Sequence, residues 1–117
     1  MSNLGLITTS GGKDILMGLI KLCSKKDQAK LNIIIDKIKK DGFKALENLE
    51  TRPIEKPLVY EIKKGNWRLF YTLHENVVVL LHCTYKQKKK TEQHDKNTAI
   101  RRANQIKTNG FKNVKLY

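Results

Sequence analysis

The chain has 117 residues, the size of one domain, which leaves little room for a second hydrophobic core. Its 24 Lys and Arg outnumber 11 Asp and Glu, and the resulting formal charge of +13 favours polyanionic partners. The only two cysteines lie far apart in apolar segments, and the apolar run over residues 15–23 is shorter than the roughly 20 residues of a membrane span. We expect one cytoplasmic domain over residues 1–117 without membrane, metal or cofactor.

The first half of the sequence predicts a short strand and two amphipathic helices. Residues 4–8 are typical of a strand, and Ser10 precedes apolar residues at three- and four-residue spacing up to Cys23. Asp27 is a candidate cap of a second helix that ends at Gly42. The apolar stripe of this helix consists of Leu31, Ile34, Ile35 and Ile38. Together the two helices predict a helical hairpin.

From Leu58 the apolar period changes to two, which predicts strands over 58–64 and 67–73. Residues 77–85 are apolar nearly throughout, which predicts a central strand covered on both faces, and the three strands form an antiparallel meander. Gly65-Asn66 is typical of a two-residue hairpin turn, and His74-Glu75-Asn76 indicates a three-residue turn. Residues 95–107 predict a last helix that ends near Gly110. The fold class is therefore α+β: a helical hairpin packed on a small antiparallel sheet, with a C-terminal helix.

The predicted turns place cations side by side on one face of the sheet. The first turn pairs Lys63 with Arg68, the second pairs Arg68 with His82, and Lys86 continues the same parity. The opposite face, under the helical hairpin, holds Tyr60, Ile62, Leu69, Tyr71, Val79 and Leu81. Because like charges directly opposite each other destabilise a sheet, the cationic row indicates a site for an anion.

Each member of this row also has a purely structural interpretation. Arg68 can simply pair with Glu61, Lys63 can be solvated beside the turn, and His82 can be a half-buried, hydrogen-bonded residue. The basic run Lys86-Gln87-Lys88-Lys89-Lys90 can likewise be solvated. Because the run leaves the third strand beside the row, we interpret it as a contact to nucleic acid.

The order and spacing of these residues resemble the RelE/ParE superfamily of small toxins, in particular its HigB-like, phage-derived branch. The similar residues are Glu61-Ile62-Lys63, Arg68-Leu69-Phe70-Tyr71, His82, Lys86, Lys90, Thr91, Ala99 and Arg102. The sequence departs from this branch at Lys63, where the branch has Arg, at Gln87 in place of Lys, and at Glu92 in place of Pro.

This resemblance implies a RelE-like fold and a type II toxin, a ribosome-dependent endoribonuclease that cuts mRNA and is neutralised by a cognate helix-turn-helix antitoxin. Cleavage by the RNA's own 2′-hydroxyl requires removal of its proton and stabilisation of the phosphorane charge. The candidate catalytic residues are Lys63 and Arg68 as phosphate ligands, Lys86 as a second clamp or a base, and His82 as a proton shuttle. The candidate RNA-binding residues are Lys88, Lys89, Lys90, His94 and Arg102.

Other functions stay open at this point. The ParE branch of the superfamily is associated with inhibition of gyrase, and a basic protein can bind DNA or RNA without cutting it. The departures at Gln87 and Glu92 also permit a toxin that has lost its activity.

Overall fold

A computed structural model describes residues 2–86 and 92–117, and the described elements combine three α-helices with a six-stranded sheet. The elements are β1 (Leu4–Ile7), α1 (Ile15–Ile20), α2 (Lys25–Asp41), a 3-10 helix (Gly42–Asn48), β2 (Glu50–Glu55), β3 (Val59–Lys64), β4 (Trp67–His74), β5 (Val77–Tyr85), α3 (Gln93–Asn109) and β6 (Val114–Leu116). The α+β class and the three strands of the meander are confirmed. None of the helices in the described part of the chain is both long and apolar enough to cross a membrane.

The sheet is mixed, which corrects the prediction of a small antiparallel sheet. Its strand order is β2-β3-β4-β5-β1-β6. Strand β1 pairs with β5 in parallel, while the other neighbouring strands pair antiparallel. Close pairing of β1 with β6 needs Gly5, because a Cβ atom there would lie 2.7 Å from Cγ1 of Val114. Strands β1 and β6, the first and the last along the chain, therefore extend the sheet beyond β5.

The residues that cap the first two helices differ from those that the sequence predicted. Asp14 caps α1 by accepting a hydrogen bond from the Met17 amide at 2.9 Å, whereas Ser10 lies in the preceding turn. Ser24 caps α2 through the amide of Asp27, so Asp27 lies in the first turn, where a carboxylate favours the helix dipole. Helix α1 has only six residues, so it is shorter than the apolar pattern up to Cys23 predicted.

Apolar side chains from both faces of the sheet form two buried clusters. Residues of α1 and α2 pack with Ile62, Leu69 and Tyr71 on one face. On the other face α3 packs on Phe70. Strand β5 supplies alternate side chains to the two clusters, Val78, Leu80 and Cys83 to the first and Val77, Val79 and Leu81 to the second. The prediction of a central strand covered on both faces is confirmed.

The pairing of β3 with β4 is the predicted one, since Lys63 lies opposite Arg68. The predicted pairing of β4 with β5 is wrong, because the turn has two residues and His74 pairs with Val77. Glu75 and Asn76 adopt φ values of 50° and 67°, the left-handed pair that such a turn needs. The shorter turn moves Val79 and Leu81 to the face of α3.

A register shift next to Phe70 then changes the partners of the cations. Phe70 pairs with His82 and Arg68 with Thr84, so the predicted pairing of Arg68 with His82 is wrong. The bulge gives Leu81 and His82 the same orientation, because Leu81 packs under α3 and the His82 ring stacks on Phe70 with centroids 5.8 Å apart. His82 thus keeps the face of Arg68 but moves along the sheet.

The left-handed Glu75 predicts a stabilising substitution. A non-glycine residue in this conformation costs about 1–2 kcal/mol, and glycine avoids that cost. Glycine in turn costs roughly 0.5–1 kcal/mol, because its unfolded chain has more conformational freedom to lose. We expect Glu75→Gly to raise the free energy of unfolding by about 0.5–1 kcal/mol in urea titrations. A loss of stability would contradict the two-residue turn.

Candidate functional site

Four cations line a small cleft on the face of the sheet that carries α3. The cleft has a volume of about 210 Å³ and is lined by Glu50, Thr51, Arg52, Glu61, Lys63, Arg68 and Lys86. Strands β2, β3 and β4 and the residue after β5 each supply part of this lining. Four cations against two carboxylates leave a formal charge of +2, so the cleft favours an anion.

Glu61 is the buried centre of this cleft. Its side chain is 1% exposed, and Oε1 lies 3.1 Å from Nε of Arg52 and 3.2 Å from Nε of Arg68. A second contact joins Oε2 to Nη2 of Arg52 at 3.5 Å. A buried carboxylate needs such cationic partners to offset its desolvation. Glu61 therefore holds one guanidinium group from each neighbouring strand.

Arg68 is oriented by the backbone as well as by Glu61. Its side chain is 9% exposed, and Nη1 donates to the carbonyls of Gly65 at 2.7 Å and Trp67 at 2.9 Å. Nη2 makes no hydrogen bond to any residue in the described part of the chain. The pairing with Glu61 that the sequence offered as a structural interpretation is confirmed, yet Nη2 still has donors for a phosphate oxygen.

The two lysines of the cleft differ in exposure. Lys63 is half-exposed, and its Nζ lies 3.5 Å from Oε2 of Glu50. Lys86 is only 8% exposed, and its backbone amide donates to the carbonyl of Asn66 at 2.7 Å. Burial, assisted by Arg68, lowers the pKa of the Lys86 ammonium group. Lowering this pKa increases the fraction of neutral amine at a given pH, as a general base needs.

His82 is not among the residues that line the cleft. Its Nε2 lies 2.7 Å from Oδ1 of the buried Asp95, near the start of α3. Burial lowers the pKa of His82 more than the nearby Asp95 raises it, so the neutral ring is favoured and Nε2 donates to the carboxylate. The structure thus places the predicted proton shuttle outside the cleft, in a contact that joins β5 to α3.

The predicted RNA-binding residues are only partly described. Lys88, Lys89 and Lys90 lie outside the described residues. His94 is exposed, and its Nε2 lies 3.4 Å from Oδ1 of Asp95. Arg102 donates from Nη1 to the carbonyl of Leu81 at 2.7 Å, which ties α3 to β5.

Sequence reasoning missed Arg52, although it is 54% exposed and lies in the cleft. The residue precedes Pro53 in a segment predicted only as extended, and no local pattern indicates that it pairs with Glu61 across β2 and β3. The Asp95 carboxylate was also missed as the partner of His82. Its position in the first turn of the predicted helix was the only available signal.

No cluster of three or more His, Cys, Asp and Glu side chains in residues 2–86 and 92–117 is arranged to hold a metal ion. Burial raises the pKa of the Cys83 thiol to about 12, which keeps this group protonated at neutral pH.

The buried contact between His82 and Asp95 predicts that the stability of the protein depends on pH. Because folding lowers the pKa of His82, the unfolded chain takes up a proton near pH 6.5 that the folded chain resists, so stability falls as the pH drops below about 6.5. We expect His82→Gln, whose amide can still donate to Asp95, to lose less stability between pH 7.5 and 5.5 in urea titrations.

The matched control is His74→Gln, since His74 contacts Glu75 and Phe111 and not Asp95. It should keep the wild-type pH dependence. Identical pH dependence in the wild type and His82→Gln would show that His82 contributes nothing to it.

Comparison with known proteins identifies the family. The family model described as "Phage derived protein Gp49-like" matches residues 19–104, which is more than half of the chain. A comparison with curated proteins gave no match. The matched range includes α2, the four strands from β2 to β5, and most of α3. The chain therefore belongs to the Gp49-like family of phage-derived, toxin-like proteins.

Proposed function

We propose that this protein is the toxin of a type II toxin-antitoxin system, of the RelE superfamily and its HigB-like branch, and that it cuts mRNA on the ribosome. It acts in the cytoplasm, inhibits translation and is neutralised by a cognate helix-turn-helix antitoxin. The observation that carries the proposal is the cleft around Glu61, which holds Arg68 in place and surrounds it with three further cations. Membership of a toxin-like family supports the same function.

Lys86 is the proposed general base. In its neutral form, the Lys86 amine takes the proton of the 2′-hydroxyl, the O2′–P bond forms and the P–O5′ bond breaks. The products are a 2′,3′-cyclic phosphate and a 5′-oxygen that takes its proton from Lys63 or water. The lowered pKa of Lys86 and its place beside Arg68 support this role.

Arg68 is the proposed ligand of the phosphorane. Its Nη1 donates to two carbonyls and its Nε lies 3.2 Å from Oε1 of Glu61, so these contacts restrict the rotation of the guanidinium plane and orient Nη2. A preorganised cation of this kind stabilises developing charge without reorganising in the transition state. Arg52 and Lys63 add charge at the open side of the cleft.

A second candidate is a protein that binds nucleic acid without cutting it, including a gyrase inhibitor of the ParE kind. The engagement of His82 by Asp95 favours this alternative, because it takes the predicted proton shuttle away from the cleft. The enzymatic proposal requires that Lys86 and the ribosome together supply what a second acid-base residue would.

Lys86→Arg separates the two roles of Lys86. The arginine keeps the positive charge but cannot act as a base, because its guanidinium group stays protonated in proteins. We expect it to reduce cleavage of ribosome-bound mRNA by about 10²–10⁴-fold, the usual contribution of a general base, in a primer-extension assay for new 5′ ends. Lys64→Ala is the matched control, since Lys64 is exposed and does not line the cleft.

Arg68→Ala should lower the cleavage rate by about 10²–10³-fold while ribosome binding changes only a few-fold. Circular dichroism must first show that Lys86→Arg and Arg68→Ala are folded, because both residues are buried. Wild-type cleavage rates in folded Lys86→Arg and Arg68→Ala would contradict the proposed mechanism. Growth arrest by the wild type without cut mRNA would favour the non-enzymatic alternative.

The basic run predicts salt-dependent binding. Each phosphate neutralised in single-stranded RNA contributes a slope of about −0.7 to log K against log salt concentration. Replacing Lys88, Lys89 and Lys90 with Ala should therefore flatten the slope for RNA binding.

The control variant replaces the exposed α2 residues Lys25, Lys26 and Lys30, which changes the net charge equally. It should leave the slope nearly unchanged. Equal slopes for the two triple variants would show that the run has no specific role.

A further inference from the structure

We propose that Tyr85 is a stacking site for a base of the single-stranded nucleic acid whose phosphates enter the cleft. This inference rests on the proposed function, since it names a second contact to the same substrate. Of the four tyrosines, all of them in the described residues, only Tyr85 is exposed. Its exposed fraction is 48%, at the last residue of β5 and directly before Lys86.

The Tyr85 ring is held in a fixed orientation. Its hydroxyl accepts a hydrogen bond from Nδ2 of Asn66 at 3.0 Å. The ring also makes an edge-to-face contact with Trp67, with centroids 5.2 Å apart and planes at 74°. Trp67 and Tyr85 are paired residues of β4 and β5, so the backbone fixes this contact too. An aromatic ring that is already ordered loses little entropy when a base stacks on it.

One turn connects this ring to the cleft. The carbonyl of Gly65 accepts from Nη1 of Arg68, and the next residue, Asn66, binds both the Tyr85 hydroxyl and the backbone amide of Lys86. Arg68 and Tyr85 lie on opposite faces of the sheet, and both approach this turn at the end of the sheet. A nucleotide chain crossing that end can place a phosphate beside Arg68 and a base on Tyr85.

The other tyrosine rings are already covered or engaged. Tyr60 stacks on Tyr71 with centroids 5.6 Å apart. The ammonium group of Lys39 lies 4.6 Å from the ring centroid of Tyr117. Single-stranded nucleic acid is typically bound by a positive surface for its backbone with aromatic rings for its bases. Among these four rings, Tyr85 fits that combination.

The test measures binding of a single-stranded DNA hexanucleotide, which lacks the 2′-hydroxyl and so cannot undergo the proposed cleavage. Its partner is an abasic hexamer with the same phosphates. Base–aromatic stacking predicts that wild type binds the natural hexamer about 5- to 150-fold more tightly than the abasic one. Tyr85→Ala should bind both hexamers equally, and Tyr85→Phe should keep most of the preference because it keeps the ring.

Trp67 provides a second readout, because it is the only tryptophan and touches Tyr85. The natural hexamer should change its fluorescence emission, and the abasic hexamer should not. Tyr117→Ala is the matched control, since this tyrosine is near the start of β1 and the cations Lys39 and Lys115, away from the Gly65-Asn66 turn. It should retain the wild-type preference for bases.

Equal binding of the two hexamers by wild type would overturn the inference, as would a full preference for bases in folded Tyr85→Ala. If Tyr85→Ala does not fold, the fluorescence response of Trp67 decides the question, because Trp67 touches Tyr85 and reports a base bound there. Base-dependent binding in a protein that cuts no mRNA would support the stacking site and reject the nuclease. Cleavage of mRNA without base-dependent binding would support the nuclease and reject the stacking site.

Discussion

The arrangement of the site depends on one buried carboxylate, Glu61. Its position in β3 lets it contact Arg52 on one neighbouring strand and Arg68 on the other. Without it, two guanidinium groups would repel each other beside Lys63 and Lys86. With it, part of their charge is neutralised inside the protein, and the cleft keeps a formal charge of +2. The carboxylate thus permits a concentrated positive charge next to a stable sheet.

The Gly65-Asn66 turn, at the end of the sheet next to the cleft, is a second point on which the site depends. The Gly65-Asn66 turn fixes Arg68, Lys86 and Tyr85, so its geometry determines where a phosphate and a base are held relative to each other. On the same face, the contact of His82 with Asp95 fixes the start of α3 on β5. Residues 87–91, which lie outside the described part of the chain, connect these two anchored points.

The sequence predicted the meander well because the segments of β3 and β4 alternate with a period of two and the segment of β5 is apolar nearly throughout. The Gly65-Asn66 turn also predicted the pairing of Lys63 with Arg68 correctly, since only a two-residue loop suits that pair. The second hairpin was predicted wrongly because Glu75 in a left-handed conformation is unusual, and because the register shift near Phe70 has no local sequence signal. These two deviations removed His82 from the cationic row.

Arg52 could not be predicted for a different reason. It belongs to the edge strand β2, whose register against β3 is set by contacts distant in sequence and includes an irregularity between Pro53 and Glu55. Likewise, the parallel pairing of β1 with β5 depends on two segments more than 70 positions apart. Local periodicity identifies such strands at best, whereas their neighbours follow from the packing of the whole sheet.

The chemistry at the 3′ end of the cut RNA tests the central claim most directly. Ribosome-bound mRNA is incubated with the wild-type protein, and the new 3′ ends are analysed by mass spectrometry. If Arg68 and Lys86 promote attack by the 2′-hydroxyl, the fragments must end in a 2′,3′-cyclic phosphate or its hydrolysis product. Intact mRNA, or fragments ending in a free 3′-hydroxyl, would contradict a cleft built for this reaction.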